Sequence, residues 1–181
     1  FYSASQIIRD AKNHGVKIKE VCINRSEWDH SLENKGESCL NLRLGFRQIK
    51  GLSKNDVDRI IEERGNGYND PQDLWHRIRL SPSIIKLLVK ANSFHSLNKN
   101  RRLLLWDAQA IKKTNSLALF EGYSEKEYLP EKSVNLPNMT SGEELILDYQ
   151  SLRLSLSTHP VKLLRPFLKK SFIEKYCASS V

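Results

Sequence analysis

The chain has 181 residues, 39% of them hydrophobic and 28% charged, which is enough to bury the core of one domain or two small ones in a soluble globular protein. No apolar run reaches bilayer-spanning length, so no membrane is expected. Three widely spaced cysteines (Cys22, Cys39, Cys177) exclude a disulfide framework and point to a reduced, cytoplasmic protein.

The chain opens Phe1-Tyr2-Ser3, neither an initiator methionine nor a signal peptide, and so reads as a piece of a longer protein. Ser3-x-x-Gln6 is a capping box, and Gly15 is the expected stop of a helix over residues 3–14. Alternation from Val16 to Ile23 and a second extended run from Ser38 to Leu44 predict a pair of strands joined by a loop carrying Trp28. From Phe46 the pattern is helical, and it repeats. Ser53 caps a helix with Val57, Ile60 and Ile61 on its apolar face and Gly65 after it. Ser81, 28 residues on, caps another with Pro82 at its first position and Ile85, Leu88 and Val89 in the same places. Asp70-Pro71 opens a short helix between them. A further helix is expected from about Lys99 to Lys113 with Leu103, Trp106 and Ile111 on its apolar side. Residues 121–139 read as a linker, and Thr140-x-x-Glu143 restarts a helix that Pro160 limits.

The basic surplus has a place. Residues 43–113 carry 15 Lys and Arg against 7 Asp and Glu, whereas residues 1–42 carry 6 against 6 and residues 114–181 carry 8 against 8. An excess confined to one segment suits a polyanion, though a solvated basic face has the same composition.

Within this segment lies Ile49-Lys50-Gly51-Leu52-Ser53-Lys54. A glycine between two hydrophobes and two short helices allows a tight hairpin. Its backbone N–H groups, with those of the next helix turn, can then hold a phosphate without reading sequence. Lys50 and Lys54 would add charge; an ordinary helical hairpin is the alternative. In the second copy, Ile78-Arg79-Leu80-Ser81-Pro82, Arg79 stands where the first has glycine, leaving two options: a side-chain phosphate contact or a unit that only packs. Lys99, Arg101 and Arg102 are further candidates for backbone contacts, or a solvated helix start.

Phe1 to Ala11 with His14-Gly15-Val16, and Leu42-Arg43-Leu44-Gly45-Phe46-Arg47-Gln48-Ile49-Lys50-Gly51-Leu52, resemble the region after the fingers in the bacterial DNA polymerase III alpha-subunit family. Asp73-Leu74-Trp75, Ala91-Asn92-Ser93-Phe94, Asp148-Tyr149, Leu154-Ser155-Leu156 and His159-Pro160-Val161 are closer to its error-prone, damage-induced branch than to the replicative one. The resemblance implies tandem helix-hairpin-helix units, a clamp-binding region and an OB-fold beyond them. It also implies that the metal-binding aspartates, with Mg2+, belong to a palm elsewhere in the parent polymerase. No cofactor is expected in this chain. Asp56-x-Asp58 diverges around a helix, the five histidines show no metal-ligand spacing, and no P-loop is present. Ser116-Leu117-Ala118-Leu119-Phe120 resembles the peptide by which such polymerases dock on a sliding clamp. The same apolar residues could instead tuck against the domain's own core.

The expected architecture is mainly α with a small β element. Residues 1–45 would close the fingers region, 46–113 form a tandem helix-hairpin-helix domain, 114–139 carry the clamp peptide and linker, and 140–181 form a C-terminal helical segment. Its function would be sequence-independent binding of duplex DNA by a non-catalytic part of a polymerase in DNA synthesis and repair. Two rivals are a module docking the clamp or translesion accessory proteins, and a helix-hairpin-helix subunit of a repair nuclease.

Overall fold

The computed structural model describes residues 2–34, 40–111 and 136–168. Helix α1 (Ala4–Asn13) starts where the capping box places it, with the Ser3 amide donating to Gln6 Oε1 at 3.0 Å, and Gly15 turns the chain with φ of +82°. Strand β1 (Lys17–Lys19) is shorter than the alternation suggests, because Val21, Cys22 and Ile23 leave the sheet and plug the core in a turn. β1 pairs in parallel with β3 (Leu40–Arg43), Lys17 facing Asn41. An additional strand, β2 (Ser31–Asn34), covers the other edge of β3 in antiparallel register, Ser31 facing Arg43.

The expected strand pair is therefore a three-stranded sheet, and β2 lies in the stretch read as a loop. Its reason is electrostatic rather than apolar. Leu32 is 63% exposed, while Glu33 accepts hydrogen bonds from Lys19 of β1 and Arg43 of β3, binding all three strands together. A strand held by ion pairs carries no alternation for sequence reading to find.

A short 3-10 turn (Phe46–Gln48) leads into the helices α2 (Lys54–Glu62), α3 (Pro71–Ile78), α4 (Pro82–Lys90) and α5 (Arg101–Ala110). α4 packs on both α3 and α5. The buried side of α5 is Leu104 and Ala108, continued by Ile111, not Leu103 and Trp106; Trp106 is 49% exposed. α6 (Ser141–Leu152) has the expected Thr140–Glu143 capping box but ends on Arg153, whose φ is +59°. Pro160, read as a limit, instead occupies the first position of another helix, α7 (Pro160–Leu168), where its missing N–H costs nothing.

One apolar cluster runs from Ile8 through Val21, Ile23, Leu44 and Phe46 into Val57, Ile60, Leu74, Ile85 and Leu88, and on to Leu152 and Leu154. The fold is thus mainly α with a small sheet, and its core is continuous across residue 45. Polar contacts follow the same route: Asn24 receives the Tyr68 amide at 2.7 Å and donates to its carbonyl at 3.1 Å, and the Ile23 amide donates to Ser93. No described helix is long and apolar enough to cross a membrane.

Candidate nucleic-acid interface

Two hairpins stand at the N-termini of α2 and α4. In the first, Ile49 and Leu52 are buried and anchor the loop, while Gly51 between them takes φ of +86°. A Cβ at Gly51 would meet only Leu87 Cδ1, at 3.5 Å, so the glycine is there for its dihedral angles rather than for space. Ser53 caps α2, its Oγ accepting the Asp56 amide at 3.2 Å and donating to Asp56 Oδ2 at 2.6 Å. The exposed amides of Gly51, Ser53, Lys54 and Asn55 have no acceptor among the described residues. The side chains of Lys50 and Lys54, also exposed, have no ion-pair partner there. Two cations against the single Asp56 carboxylate leave the loop attractive to an anion placed on these donors.

One donor differs from expectation. The Lys50 amide does not face outward; it is bound to the Ser151 carbonyl of α6 at 2.9 Å.

In the second hairpin Asp70 caps α3 and Arg79 closes it, donating its amide to the Trp75 carbonyl at 2.8 Å. Arg79 takes φ of 55° and ψ of 41°, the left-handed region its glycine counterpart would favour, so the turn forms without glycine. Its guanidinium stacks over the Trp75 ring, 4.3 Å from the centroid, which keeps the charge on the rim of the turn. Ser81 is the N-cap of α4 but makes no side-chain cap bond; its hydroxyl meets that of Ser83. Pro82 removes one amide from this helix start, so the second unit has fewer neutral donors than the first. Arg59 on α2 donates to the Ile78 carbonyl and ties the two units together, a contact with no mark in the sequence.

The three basic residues around the start of α5 lie elsewhere. Lys99 reaches the Asn69 carbonyl at 3.2 Å and Asp70 at 3.8 Å, and Arg102 binds both carboxylate oxygens of Glu143 at 2.8 Å. Arg101 lies mostly inside the fold: it is 7% exposed, pairs with Asp148 at 2.9 Å and donates to the Lys90 carbonyl. Its acidic partner is 47 residues away in sequence, so the basic run by itself gives no sign of the pair. Ser116, Leu117, Leu119 and Phe120 lie outside the described residues. Among the described residues no group of three His, Cys, Asp or Glu side chains could hold a metal ion.

Comparison with known proteins agrees with this geometry. A family model described as a helix-hairpin-helix motif matches residues 15–104, which span both hairpins. The chain is 45% identical over 166 residues to the error-prone DNA polymerase of Ruegeria pomeroyi, covering 92% of this chain and 15% of that protein. It is 41% identical over 165 residues to that of Brucella abortus (91% and 15%), and 39% identical over 186 residues to that of Sinorhizobium medicae (91% and 17%). The chain spans about one sixth of the length of these curated relatives.

Proposed function

We propose, the chain being a homologue of one segment of the error-prone C-family DNA polymerases, that its paired hairpins hold duplex DNA by its phosphates and without regard to base sequence. The observation that carries this reading is the first hairpin: the exposed residues Gly51, Ser53, Lys54 and Asn55, whose amides have no acceptor among the described residues, flanked by the side chains of Lys50 and Lys54. Neutral amides supply position, and the two lysines supply affinity through counterion release. Arg79, with Ser81 beside it, belongs to the second unit; Lys99, near Asp70, and Arg102, paired with Glu143, are the remaining candidates for backbone contacts.

In this reading the segment steadies DNA for template-directed synthesis, and the Mg2+-dependent transfer of nucleotides belongs to other parts of a longer, cytoplasmic repair polymerase. A sliding clamp or accessory protein docking on Ser116–Phe120 is a further part of the reading, resting on sequence alone. The test is binding of short duplexes to a Lys50→Ala, Lys54→Ala double variant. Affinity should fall equally for unrelated sequences, and the slope of log K against log salt should flatten by roughly 2. An unchanged slope would move the DNA face away from this hairpin.

A further inference from the structure

Helix α6 lies beyond the residues that the helix-hairpin-helix model covers, yet it grips the first hairpin from behind. The Lys50 amide donates to the Ser151 carbonyl at 2.9 Å, and Gln48 Nε2 donates to the Leu152 carbonyl at 2.8 Å. Ser151 is 3% exposed, with its hydroxyl within reach of the Lys90 carbonyl at 3.1 Å and the Leu147 carbonyl at 2.6 Å. One turn earlier Asp148 pairs with Arg101, whose guanidinium also donates to the Lys90 carbonyl, and Ser155 donates to the other Asp148 oxygen at 2.9 Å. The end of α4, the start of α5 and the C-terminal turn of α6 thus meet on one buried polar junction directly under Lys50.

A neutral amide contributes to phosphate binding only if it is held where the oxygen will be, because it has no long-range field to compensate for misplacement. Ile49 and Leu52 fix the hairpin from the core side; α6 fixes its Lys50 flank. We infer that α6 is a positioning element for the DNA-binding hairpin, and that Asp148 and Ser151 are positioning residues which set DNA affinity without touching DNA. This inference rests on the DNA-binding reading above.

The test uses the full 181-residue chain with Asp148→Asn, which keeps the volume of the side chain and breaks its charge pairing with Arg101. By charge alone this variant, one unit more positive, should bind DNA more tightly. The positioning role predicts the reverse: a Kd for a short duplex of arbitrary sequence weakened roughly 2- to 30-fold at every salt concentration. The salt slope should stay unchanged because no cation leaves the interface. Hydrogen exchange at the Lys50 amide, followed by NMR, should accelerate in parallel. Faster exchange at Lys50 with an unweakened Kd would overturn the inference. If Asp148→Asn melts below the assay temperature, Ser151→Ala, which leaves charge untouched, takes its place with the same two outcomes. A parent chain without salt-dependent duplex binding removes the DNA reading and this inference with it. Normal binding by the parent that the variant matches removes this inference alone.

Discussion

Gly51 and Arg79 hold the same place in two hairpins and the same left-handed backbone region, at φ of +86° and +55°. The first choice has no steric cost, whereas an arginine there costs about 1–2 kcal/mol that the stack on Trp75 partly offsets. A glycine can also be required by space. Gly45 has φ of −85°, open to any residue, but a Cβ on it would overlap the Asp29 and Trp28 carbonyl oxygens, because Phe46 and Arg47 donate their amides to the neighbouring loop. Gly51→Ala should therefore cost about 1–2 kcal/mol and Gly45→Ala roughly 3 kcal/mol or more, since backbone cannot step aside. Thermal melts of the two variants test this order, and a Gly45→Ala protein as stable as its parent would contradict the packing. The role of Gly51 was legible in sequence from the hydrophobes on either side. That of Gly45 was not, because the loop pressed against it is distant in the chain.

Among the elements, β2 was invisible for a reason that also makes it sensitive to acid. Arg43 and Lys19 hold the Glu33 carboxyl down at about 2, chiefly through hydrogen bonds from Arg43 and then from Lys19. A carboxylate with a depressed folded-state pKa contributes stability that is whole above its ordinary value of 4.5 and is lost as pH falls toward about 2. Arg43 is nearly buried and Glu33 about a quarter exposed, so the cluster falls between an exposed pair, at roughly 0–1 kcal/mol, and a buried one, at roughly 3–5 kcal/mol. Glu33→Gln should thus destabilise by about 1–3 kcal/mol at neutral pH, with the difference from the parent shrinking as pH falls through this range. Urea titrations at pH 7 and pH 3 decide it; a gap that stays constant would mean that the charge of Glu33 does not hold the strand. The helices, by contrast, were marked by their caps: Ser3, Ser53, Asp70, Ser81 and Thr140 each stand at the N-cap where the sequence placed a start. Caps locate a helix but do not orient it: Trp106 is an apolar position of α5 and is nonetheless 49% exposed.

For the molecule as a whole, the apolar cluster from Ile8 to Leu154 joins the small sheet, the hairpin helices and α6 in one core. Unfolding should then be a single cooperative event, with far-UV circular dichroism and the fluorescence of Trp28, Trp75 and Trp106 changing at the same urea concentration. Two separated transitions would instead mark a domain boundary near residue 45. Sequence reading found the hairpins because their signal is local, a glycine and a cap within a few residues. It missed the junction of Arg101, Asp148 and Ser151 because that signal is split between segments far apart in the chain. This separation also has a meaning in time. Gln48 and the Leu152 carbonyl that it binds are 104 residues apart. At a synthesis rate of roughly 5–20 residues per second, the ribosome delivers the hairpin roughly 5–20 s before the helix that braces it. If α6 sets the hairpin for DNA as inferred above, a nascent chain carries its positive loop into a cell full of nucleic acid before that loop is set, and its full hold on DNA would come only as α6 arrives.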